Sequence, residues 1–371
     1  MWNCSFDCAG RCIVEPEPTG PRGYTLIDLG TLGGWTASAH AINDRGQVVG
    51  LAYTAQGDQH AFLWQAGVMT DIAPRPSYTW STGVGINNAG QVVLHYGGDS
   101  LVWDNGVMTP IGGPGYAIND AGQIVGYPPS FLWQNGVMTY LTLGLGGLRD
   151  INNLGQIAGS TQPAGSYTRA AVWDGEQVID LGTLGGQYSW AQALNDSMQV
   201  VGRSERAPGG DRLFFDFLWQ DGVMTDLSEL AGAFLGSFSV DINNCGEVLF
   251  AGRIYHPDYG FRFLSELIPA ELRWYHPAGA AINDLGQVAG VGTLTDPDGS
   301  YSRSRAFLLD PVPGDLAPDG AVDLRDFRIF QNHFSGASPP ASGCRRGDLD
   351  RDGDIDLADF RLFGGLLTDP R

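Results

Sequence analysis

The sequence predicts an all-β fold, a seven-bladed β-propeller closed by an N-terminal strand, followed by a small α-helical module. Three observations predict it. A ten-residue motif recurs seven times, further apolar runs follow most copies, and the two ends of the array are complementary. The composition agrees, because 54 glycines and 11% aromatic residues in 371 suit many short strands joined by tight turns.

The recurring motif first occurs as AINDRGQVVG at residues 41–50 and has an asparagine near its centre. The central residues are Asn43, Asn87, Asn119, Asn152, Asn195, Asn243 and Asn283, at spacings of 44, 32, 33, 43, 48 and 40 residues. About forty residues is the size of a propeller blade. A catalytic cluster has no reason to recur once per blade. We therefore interpret Asn43 and Asp44 as turn formers and Gly46 as a hinge with positive φ.

Each unit contains four short apolar runs, which we interpret as four antiparallel strands. The third is typified by AFLW and the fourth by VMTDL, with Asn-Gly or Asp-Gly between them as hairpin turns. A tryptophan recurs in the third strand at Trp64, Trp103, Trp133, Trp173 and Trp219. It could stack on sugar rings, but its replacement by Phe and Leu in units six and seven favours packing between blades.

The ends of the array distinguish a closed ring from an open solenoid. The seventh unit stops at RAFLLDP without a fourth strand, whereas a spare fourth strand, YTLIDLGTLGG, begins at residue 24. A ring whose termini share one blade has no free sheet edges, whereas a solenoid needs caps. The sequence therefore predicts a propeller over residues 23–311. A tail over residues 1–22 is expected to be disordered.

Composition excludes several classes of function. The formal net charge of -20 argues against a nucleic-acid partner. Lysine is absent, which excludes lysine Schiff-base and P-loop chemistry. No apolar run is long enough to span a membrane, so we expect no membrane insertion, and we expect a monomer. The start lacks the apolar core of an export signal, and no catalytic motif is present, so no catalytic residue is assigned.

The five cysteines are too few for a disulfide scaffold. Cys4, Cys8 and Cys12 lie in the N-terminal tail with three residues between neighbours. A metal site there would need a fourth ligand that the nearby sequence does not supply, and the alternative is a tail with one disulfide or none. Cys245 and Cys344 are interpreted as incidental.

A Pro-marked linker, DPVPG, separates the propeller from residues 312–371, where the sequence becomes acidic. The segment DLDRDGDIDLAD matches a calcium-binding loop position by position. Asp348, Asp350 and Asp352 fill positions one, three and five, Gly353 supplies the turn, and Asp354, Asp356 and Asp359 fill positions seven, nine and twelve. So many oxygens in one short loop indicate a hard divalent cation, and we predict calcium.

A second, poorer loop precedes this one. Its candidate calcium ligands are Asp315, Asp319, Asp323 and Asp326. Ala317 cannot act as a ligand at position three and Pro318 stiffens the loop, so the site is either weaker or absent. Behind each loop the sequence predicts an amphipathic helix, DFRIFQNHF and DFRLFGGLL.

Two resemblances follow from these motifs. The run HAFLW at residues 60–64, with AINDRGQVVG before it and DLGTLGG around it, resembles the bacterial extracellular HAF-repeat family. This resemblance covers residues 23–311 and implies an exported β-repeat protein without catalytic residues to carry over. The two loop-and-helix units resemble a type I dockerin, which implies calcium-dependent docking onto a cohesin-like module. The chain departs from that family at Leu324-Arg325 and Leu357-Ala358, where small hydroxyl residues are usual.

The sixth unit is the least regular, and its candidate ligand-binding residues are Tyr255, His256, Arg262, Arg273, Tyr275 and His276. Such residues could abstract protons from acidic sugars and stabilise charge, or they could belong to a variant loop. We expect a non-catalytic extracellular or cell-surface binding protein, docked by its calcium-binding tail to a cohesin-like or cell-envelope partner. The alternative is a propeller lyase or hydrolase that acts on polysaccharide.

Overall fold

The computed structural model describes residues 5–6, 12–13, 23–74, 80–141, 144–164, 167–206, 213–230, 239–317, 321–336 and 343–367. In the N-terminal tail, Ser5–Phe6 (β1) pairs antiparallel with Cys12–Ile13 (β2). Cys4 and Cys8 lie outside the described residues, as does the side chain of Cys12. Tyr24–Asp28 (β3) is the first strand of the propeller.

The described chain forms seven antiparallel sheets of four strands, so the predicted seven-bladed β-propeller is confirmed. Blades one and two consist of Gly33–Ile42 (β4), Val48–Thr54 (β5), Gln59–Gln65 (β6), Val68–Asp71 (β7), Ser81–Ile86 (β8), Val92–Tyr96 (β9), Asp99–Asp104 (β10) and Val107–Pro110 (β11). Blades three and four consist of Gly115–Ile118 (β12), Ile124–Gly126 (β13), Phe131–Gln134 (β14), Val137–Tyr140 (β15), Leu145–Ile151 (β16), Ile157–Thr161 (β17), Arg169–Trp173 (β18) and Val178–Gly182 (β19).

The remaining blades follow the same order. Blade five consists of Ser189–Leu194 (β20), Val200–Glu205 (β21), Phe214–Gln220 (β22) and Val223–Asp226 (β23), followed by the helix Leu227–Leu230 (α1). Blade six consists of Ser239–Ile242 (β24), Val248–Phe250 (β25), Arg253–His256 (β26) and Gly260–Phe263 (β27), followed by Leu264–Leu267 (α2) and a 3-10 turn, Ala270–Leu272. Blade seven consists of Trp274–Ile282 (β28), Val288–Thr295 (β29), Ser302–Pro311 (β30) and β3.

Strand β3 is the fourth strand of blade seven although it comes first in the chain. Tyr24 lies opposite Pro311 and Asp28 lies opposite Phe307 in an antiparallel pair with β30. The guanidinium of Arg305 binds the carboxylate of Asp28 at 2.9 Å across the same pair. The chain thus enters and leaves the propeller through one sheet.

Three described hairpins between third and fourth strands have the predicted Asn-Gly or Asp-Gly turn, and a fourth has Ala-Gly instead. In four blades both turn residues have positive φ, at Ala66-Gly67, Asn105-Gly106, Asn135-Gly136 and Asp221-Gly222. A two-residue turn of this kind follows the right-handed twist of the flanking strands, and Asn, Asp and Gly adopt it at low cost. The Asn-Gly and Asp-Gly pairs therefore fix the register of the strands on either side.

The hydrophobic core lies between the blades rather than within them. Trp64 of blade one, for example, packs with Ala281 and Leu308 of blade seven, and Trp219 of blade five packs with Val172 of blade four. The recurring tryptophans are buried or half-buried, which confirms their interpretation as packing residues. Burial of such large apolar surfaces at every junction holds the ring together.

Two helices follow the propeller, Leu324–His333 (α3) and Leu357–Leu366 (α4). They pack through the rings of Phe330 and Phe363, whose centroids are 5.2 Å apart, over the fully buried Ile355. No helix in the described parts of the chain combines the length and the apolar character needed to cross a bilayer.

Candidate functional site

The central asparagine of each blade closes its own turn and also binds the next blade. The Oδ1 atom of Asn43 accepts the N–H groups of Arg45 and Gln47, and its Nδ2 atom donates to the carbonyl of Asn87 at 2.9 Å. The same amide-to-carbonyl bond recurs at 2.9 to 3.1 Å from blade to blade, and Asn283 donates back to Asn43. We call these seven buried residues the asparagine ring.

The residue after each central asparagine forms a second circuit. Its backbone N–H donates to a side-chain oxygen of the equivalent residue in the next blade, at 2.7 to 2.9 Å. We call this set the Asp/Asn ring, and its members in order are Asp44, Asn88, Asp120, Asn153, Asp196, Asn244 and Asp284. The turn role was predicted from the sequence, but the bonds between blades were not.

Both rings line a central cavity of about 190 Å³. Two blades add a buried carboxyl two residues before the asparagine, where other blades have Ala or Gly. These carboxyls, Asp150 and Asp241, each accept a backbone N–H from the following blade. Burial raises the pKa of Asp241 to about 7, and the neighbouring Asp150 adds to the effect. The polar groups at the centre thus act as ties between blades.

The carboxylates of loop two lie in two groups of three. One ligand oxygen from each of Asp348, Asp350 and Asp352 lies within 4.8 Å of the others, and the same holds for Asp354, Asp356 and Asp359. Asp348 is only 3% exposed, and its Oδ1 atom has no hydrogen-bond partner among the described residues. A buried carboxylate oxygen without a partner is costly unless a cation meets it.

The other oxygen of Asp348 is already paired. Its Oδ2 atom accepts hydrogen bonds from the guanidinium of Arg345, at 2.7 and 3.1 Å, and from the N–H of Gly353. Arg345 is itself fixed, because its backbone N–H donates to the carbonyl of Asp284 in the Asp/Asn ring at 3.0 Å. One fixed positive charge therefore lies at the first ligand position of loop two.

Two of the remaining loop-two carboxyls, those of Asp350 and Asp354, have raised pKa values. Desolvation and then Asp359 raise the pKa of Asp350, while desolvation and then Asp352 raise the pKa of Asp354. The Oδ1 atom of Asp354 also has no partner among the described residues. These residues fit a hard divalent cation, because several oxygen ligands converge within one short loop.

The closing carboxylate of loop two also organises the loop itself. The Oδ1 atom of Asp359 accepts the N–H groups of Leu349 and Asp350, and its Oδ2 atom accepts that of Asp356. Asp356 in turn caps α4 by accepting the N–H of Ala358. The loop is therefore shaped by hydrogen bonds between its own carboxylates and its own backbone.

The described part of loop one has the same hydrogen-bonded scaffold as loop two. Asp326 accepts the N–H groups of Ala317 and Asp323 at 2.7 and 2.8 Å, as Asp359 does in loop two, and Asp323 caps α3. Asp315 is buried, and Asp319 lies outside the described residues. Within the described ranges, acidic groups close enough to hold an ion occur in loop two.

The C-terminal module is tied to blade six by a disulfide between Cys245 and Cys344, across 99 residues of sequence. The interpretation of these cysteines as incidental is therefore wrong. Sequence spacing could not reveal the bond, because the two residues meet only when the tail folds back onto the propeller. Cys245 occupies a position where the other repeats have different residues.

A buried ion pair lies beside the disulfide. Glu247 stands where the other six repeats have Gln, and its Oε1 atom is 3.0 Å from Nη1 of Arg346. The guanidinium also donates to the hydroxyls of Tyr259 of blade six, at 2.8 Å, and Tyr24 of β3, at 3.1 Å. Arg346 thus joins the tail, blade six and blade seven. The signal in the sequence was the departure from Gln at this position.

The candidate residues of the sixth unit lie in different surroundings. His256 is buried and stacks on Tyr259 at 3.8 Å, and its Nδ1 atom accepts the N–H of Asp258. Burial lowers the pKa of His256 to about 3, so the imidazole is neutral. Tyr255 packs against Phe261, with ring centroids 4.9 Å apart.

The other four candidates lie nearer the surface. Arg262 is 5.8 Å from the ring of Tyr259. Arg273 ends the 3-10 turn with a φ of 57°, and Tyr275 is exposed. His276 lines a surface cavity of about 370 Å³. Tyr255 and His256 therefore contribute to packing, whereas Tyr275 and His276 are open to solvent.

No family model and no curated protein matches the chain. Among solved structures, the chain is similar to YCF48 bound to D1 peptide, with a TM-score of 0.49 and 12% identity over 78% of this chain and 97% of that one. It is also similar to a fungal alcohol oxidase of the AA5 family in complex with copper, with a TM-score of 0.47 and 11% identity over 81% and 78%. Similarities this low carry no inference about function.

Proposed function

We propose that this chain is a non-catalytic extracellular or cell-surface binding protein of the HAF-repeat type. In this proposal the propeller, closed by β3, presents the binding surface. A dockerin-like tail binds calcium and docks to a cohesin-like or cell-envelope protein. The observation that supports the proposal is in loop two, where the carboxylates of Asp350 and Asp352 lie close to Asp348. The buried Oδ1 atom of Asp348 has no hydrogen-bond partner among the described residues.

The calcium site is assigned to the residues of loop two. Asp348, Asp350 and Asp352 would supply carboxylate oxygens, with Asp354 and Asp356 at the following positions. Bound calcium would supply positive charge that offsets the repulsion between these carboxylates. Asp359 holds the loop in shape by binding backbone N–H groups at both of its ends. The ion would thus stabilise a loop that the chain has already formed.

A polysaccharide-acting enzyme is the less supported alternative. Its candidate base, His256, is buried against Tyr259 and has a pKa lowered to about 3. A general base near neutral pH needs a pKa close to the working pH and access to the substrate. The polar groups at the propeller centre are occupied by bonds between blades. A binding role agrees better with both observations.

Calorimetric titration with calcium tests the proposal. The wild-type protein is expected to bind calcium in at least one site, and the double variant Asp348→Asn, Asp352→Asn is expected to lose the heat of loop two. Asp221→Asn is the matched control, because it removes an acidic charge from a hairpin where two other blades already have Asn. Absence of heat in the wild type, or the same heat in the double variant, would refute the calcium site.

Docking is tested separately with cell-envelope extract from the source organism. The immobilised wild-type chain is expected to retain a partner in calcium buffer and to release it with chelator. The double variant is expected to retain none, whereas Asp221→Asn should behave as the wild type does. Retention that is insensitive to both chelator and the double variant would contradict docking through the tail.

A further inference from the structure

A second cavity, of about 650 Å³, lies between the inner strands of blades four and five. Its lining includes Arg149 of β16, Trp190 and Gln192 of β20, and Arg203 of β21. Its volume is within the usual range for small-ligand sites, about 300 to 1,000 Å³. It is separate from the ring cavity and from loop two, and the repeat motif does not account for it.

A large bulge in blade four helps to form this cavity. Gly146 pairs with Ser160 and Asp150 pairs with Ala158, so residues 147–149 of β16 face a single residue of β17. In blades two and three the equivalent shift adds one residue only. The bulge presents Arg149 as an exposed side chain, and bulges often redirect side chains in this way.

The bulge depends on Gly147. This residue has a φ of 54°, and a Cβ atom there would lie 3.2 Å from the hydroxyl oxygen of Ser160. The hydroxyl of Ser160 donates to the carbonyl of Gly146, which ties the bulge to the neighbouring strand. The conformation of this wall is therefore fixed by local contacts.

The cavity is also lined by an aromatic side chain, Trp190, that packs against two neighbouring rings. The indole of Trp190 stacks on Tyr188, with centroids 5.9 Å apart and planes 8° apart, and meets Phe214 edge-on at 5.0 Å. Trp190 is nevertheless 39% exposed. A ring fixed on two sides and open on a third suits the apolar C–H face of a sugar, because little conformational freedom is lost on binding.

The cavity carries positive charge in a chain of net charge -20. Arg149 and Arg203 both line it. Burial lowers the pKa of Arg203, Asp216 across the β21–β22 pair raises it, and the like charge of Arg149 lowers it further. Guanidinium groups stay protonated under such shifts and bind carboxylates with two parallel hydrogen bonds.

From this arrangement we propose that the cavity between blades four and five binds an acidic saccharide, with a uronate carboxylate at the two arginines and a sugar face on Trp190. Side-chain amides and hydroxyls, such as those of Gln192 and Thr168, would meet the sugar hydroxyls. An acidic peptide could also place carboxylates at the two arginines, but it has no sugar face for Trp190. This inference rests on the proposed binding function and names its ligand class.

Titration with tetragalacturonate tests the proposal, with its fully methyl-esterified form as the neutral probe. The titrations are run in chelator, because uronates themselves bind calcium. Since no free calcium is then present, the result does not depend on whether loop two binds calcium. We expect at least about tenfold weaker binding for Arg149→Ala, for Trp190→Ala and for the esterified probe. Arg149→Lys should bind more tightly than Arg149→Ala, because it keeps the charge.

Trp35 and Arg303 supply matched controls. The guanidinium of Arg303 lies 4.8 Å from the exposed ring of Trp35, outside this cavity, so Trp35→Ala and Arg303→Ala remove the same residue types elsewhere. These variants should bind as the wild type does, and thermal unfolding verifies that every variant is folded. Lack of binding by the wild type, equal losses in the controls, or tighter binding of tetraglutamate than of tetragalacturonate would overturn the proposal.

Discussion

The backbone N–H of Asp284 donates to Oδ1 of Asp44 at 2.9 Å, and there two carboxylates are neighbours in the Asp/Asn ring. At each of the other six junctions of the Asp/Asn ring, one residue is Asn and its neighbour is Asp. Asn88, for example, donates from Nδ2 to Asp44 and to Asp120. Strict alternation cannot close in a ring with seven members, so one like pair is unavoidable. In this chain the pair is acidic.

Replacement of one carboxylate should relieve this contact. Burial and the charge of Asp44 raise the pKa of Asp284 well above its usual value. Asp284 also accepts the backbone N–H and the side-chain amide of Asn244, so its replacement removes one acceptor. We expect Asp284→Asn to be about 1 kcal/mol less destabilising at pH 7 than the same change at Asp120, because only Asp284→Asn removes a contact between two carboxylates. Chemical denaturation at pH 7 measures the change.

Asp120→Asn is the matched control for that experiment. Asp120 accepts a backbone and a side-chain hydrogen bond from Asn88, so its replacement by Asn should be destabilising. If Asp284→Asn destabilised the protein as much as Asp120→Asn, the ring would not contain an unfavourable carboxylate pair.

The buried carboxyl of Asp241 should impose a pH dependence on stability. The folded protein keeps its proton up to a pH of about 7, whereas the unfolded carboxyl loses it near 3.8. The folded state therefore binds more protons over this interval, and the contribution of Asp241 to stability falls as the pH rises. His256, with a pKa lowered to about 3, has the opposite effect between about 3 and 6.5.

A variant that cannot titrate isolates the contribution of Asp241. The free energy of unfolding of Asp241→Asn, relative to the wild type, should increase by about 2 kcal/mol between pH 5 and pH 8. The asparagine keeps one acceptor for the two N–H groups that Asp241 binds, so the variant starts less stable at pH 5. Parallel curves for the two proteins across this range would show that Asp241 does not titrate there.

The architecture was predictable because its signals are local. Asn-Gly and Asp-Gly turns, alternating apolar runs and the spare strand at residue 24 each specify a short-range feature, and repetition multiplies the signal. The proximity of the loop-two carboxylates was predictable for the same reason, since they lie within twelve residues. The hydrogen bonds of the two rings could not be predicted from the sequence. Each joins equivalent residues of neighbouring blades, and these residues come within bonding distance only when the propeller closes.

The attachment of the tail to the propeller also could not be predicted from the sequence pattern. Cys245 meets Cys344 and Glu247 meets Arg346 only because the tail folds onto blade six. A departure from Gln at a single repeat is compatible with ordinary drift, and its partner lies 99 residues away. The cavity beside Trp190 was missed because its residues come from four strands, one of them bulged, and from loops. They have no spacing that a repeat alignment would display.

Restoration of the repeat residue at position 247 should destabilise the protein. Glu247→Gln leaves the guanidinium of Arg346 buried without its counter-charge, and loss of one partner of a buried pair costs about 3 to 5 kcal/mol. The additional change Arg346→Met should recover a substantial part of this loss, because no buried charge then remains. Urea denaturation measures both variants. A single variant as stable as the wild type would show that the pair is not coupled.

Arg345 should compete with calcium for Asp348. Its guanidinium binds Oδ2 of Asp348, so an ion at the first ligand position meets a carboxylate that is already partly neutralised. Arg345→Ala should therefore bind calcium at least about fivefold more tightly than the wild type in calorimetric titration. Arg351→Ala is the control, since Arg351 lies in the same loop but pairs with Asp310 at 3.5 Å. Both variants change the net charge equally, so equal gains would assign the effect to overall charge rather than to competition at Asp348.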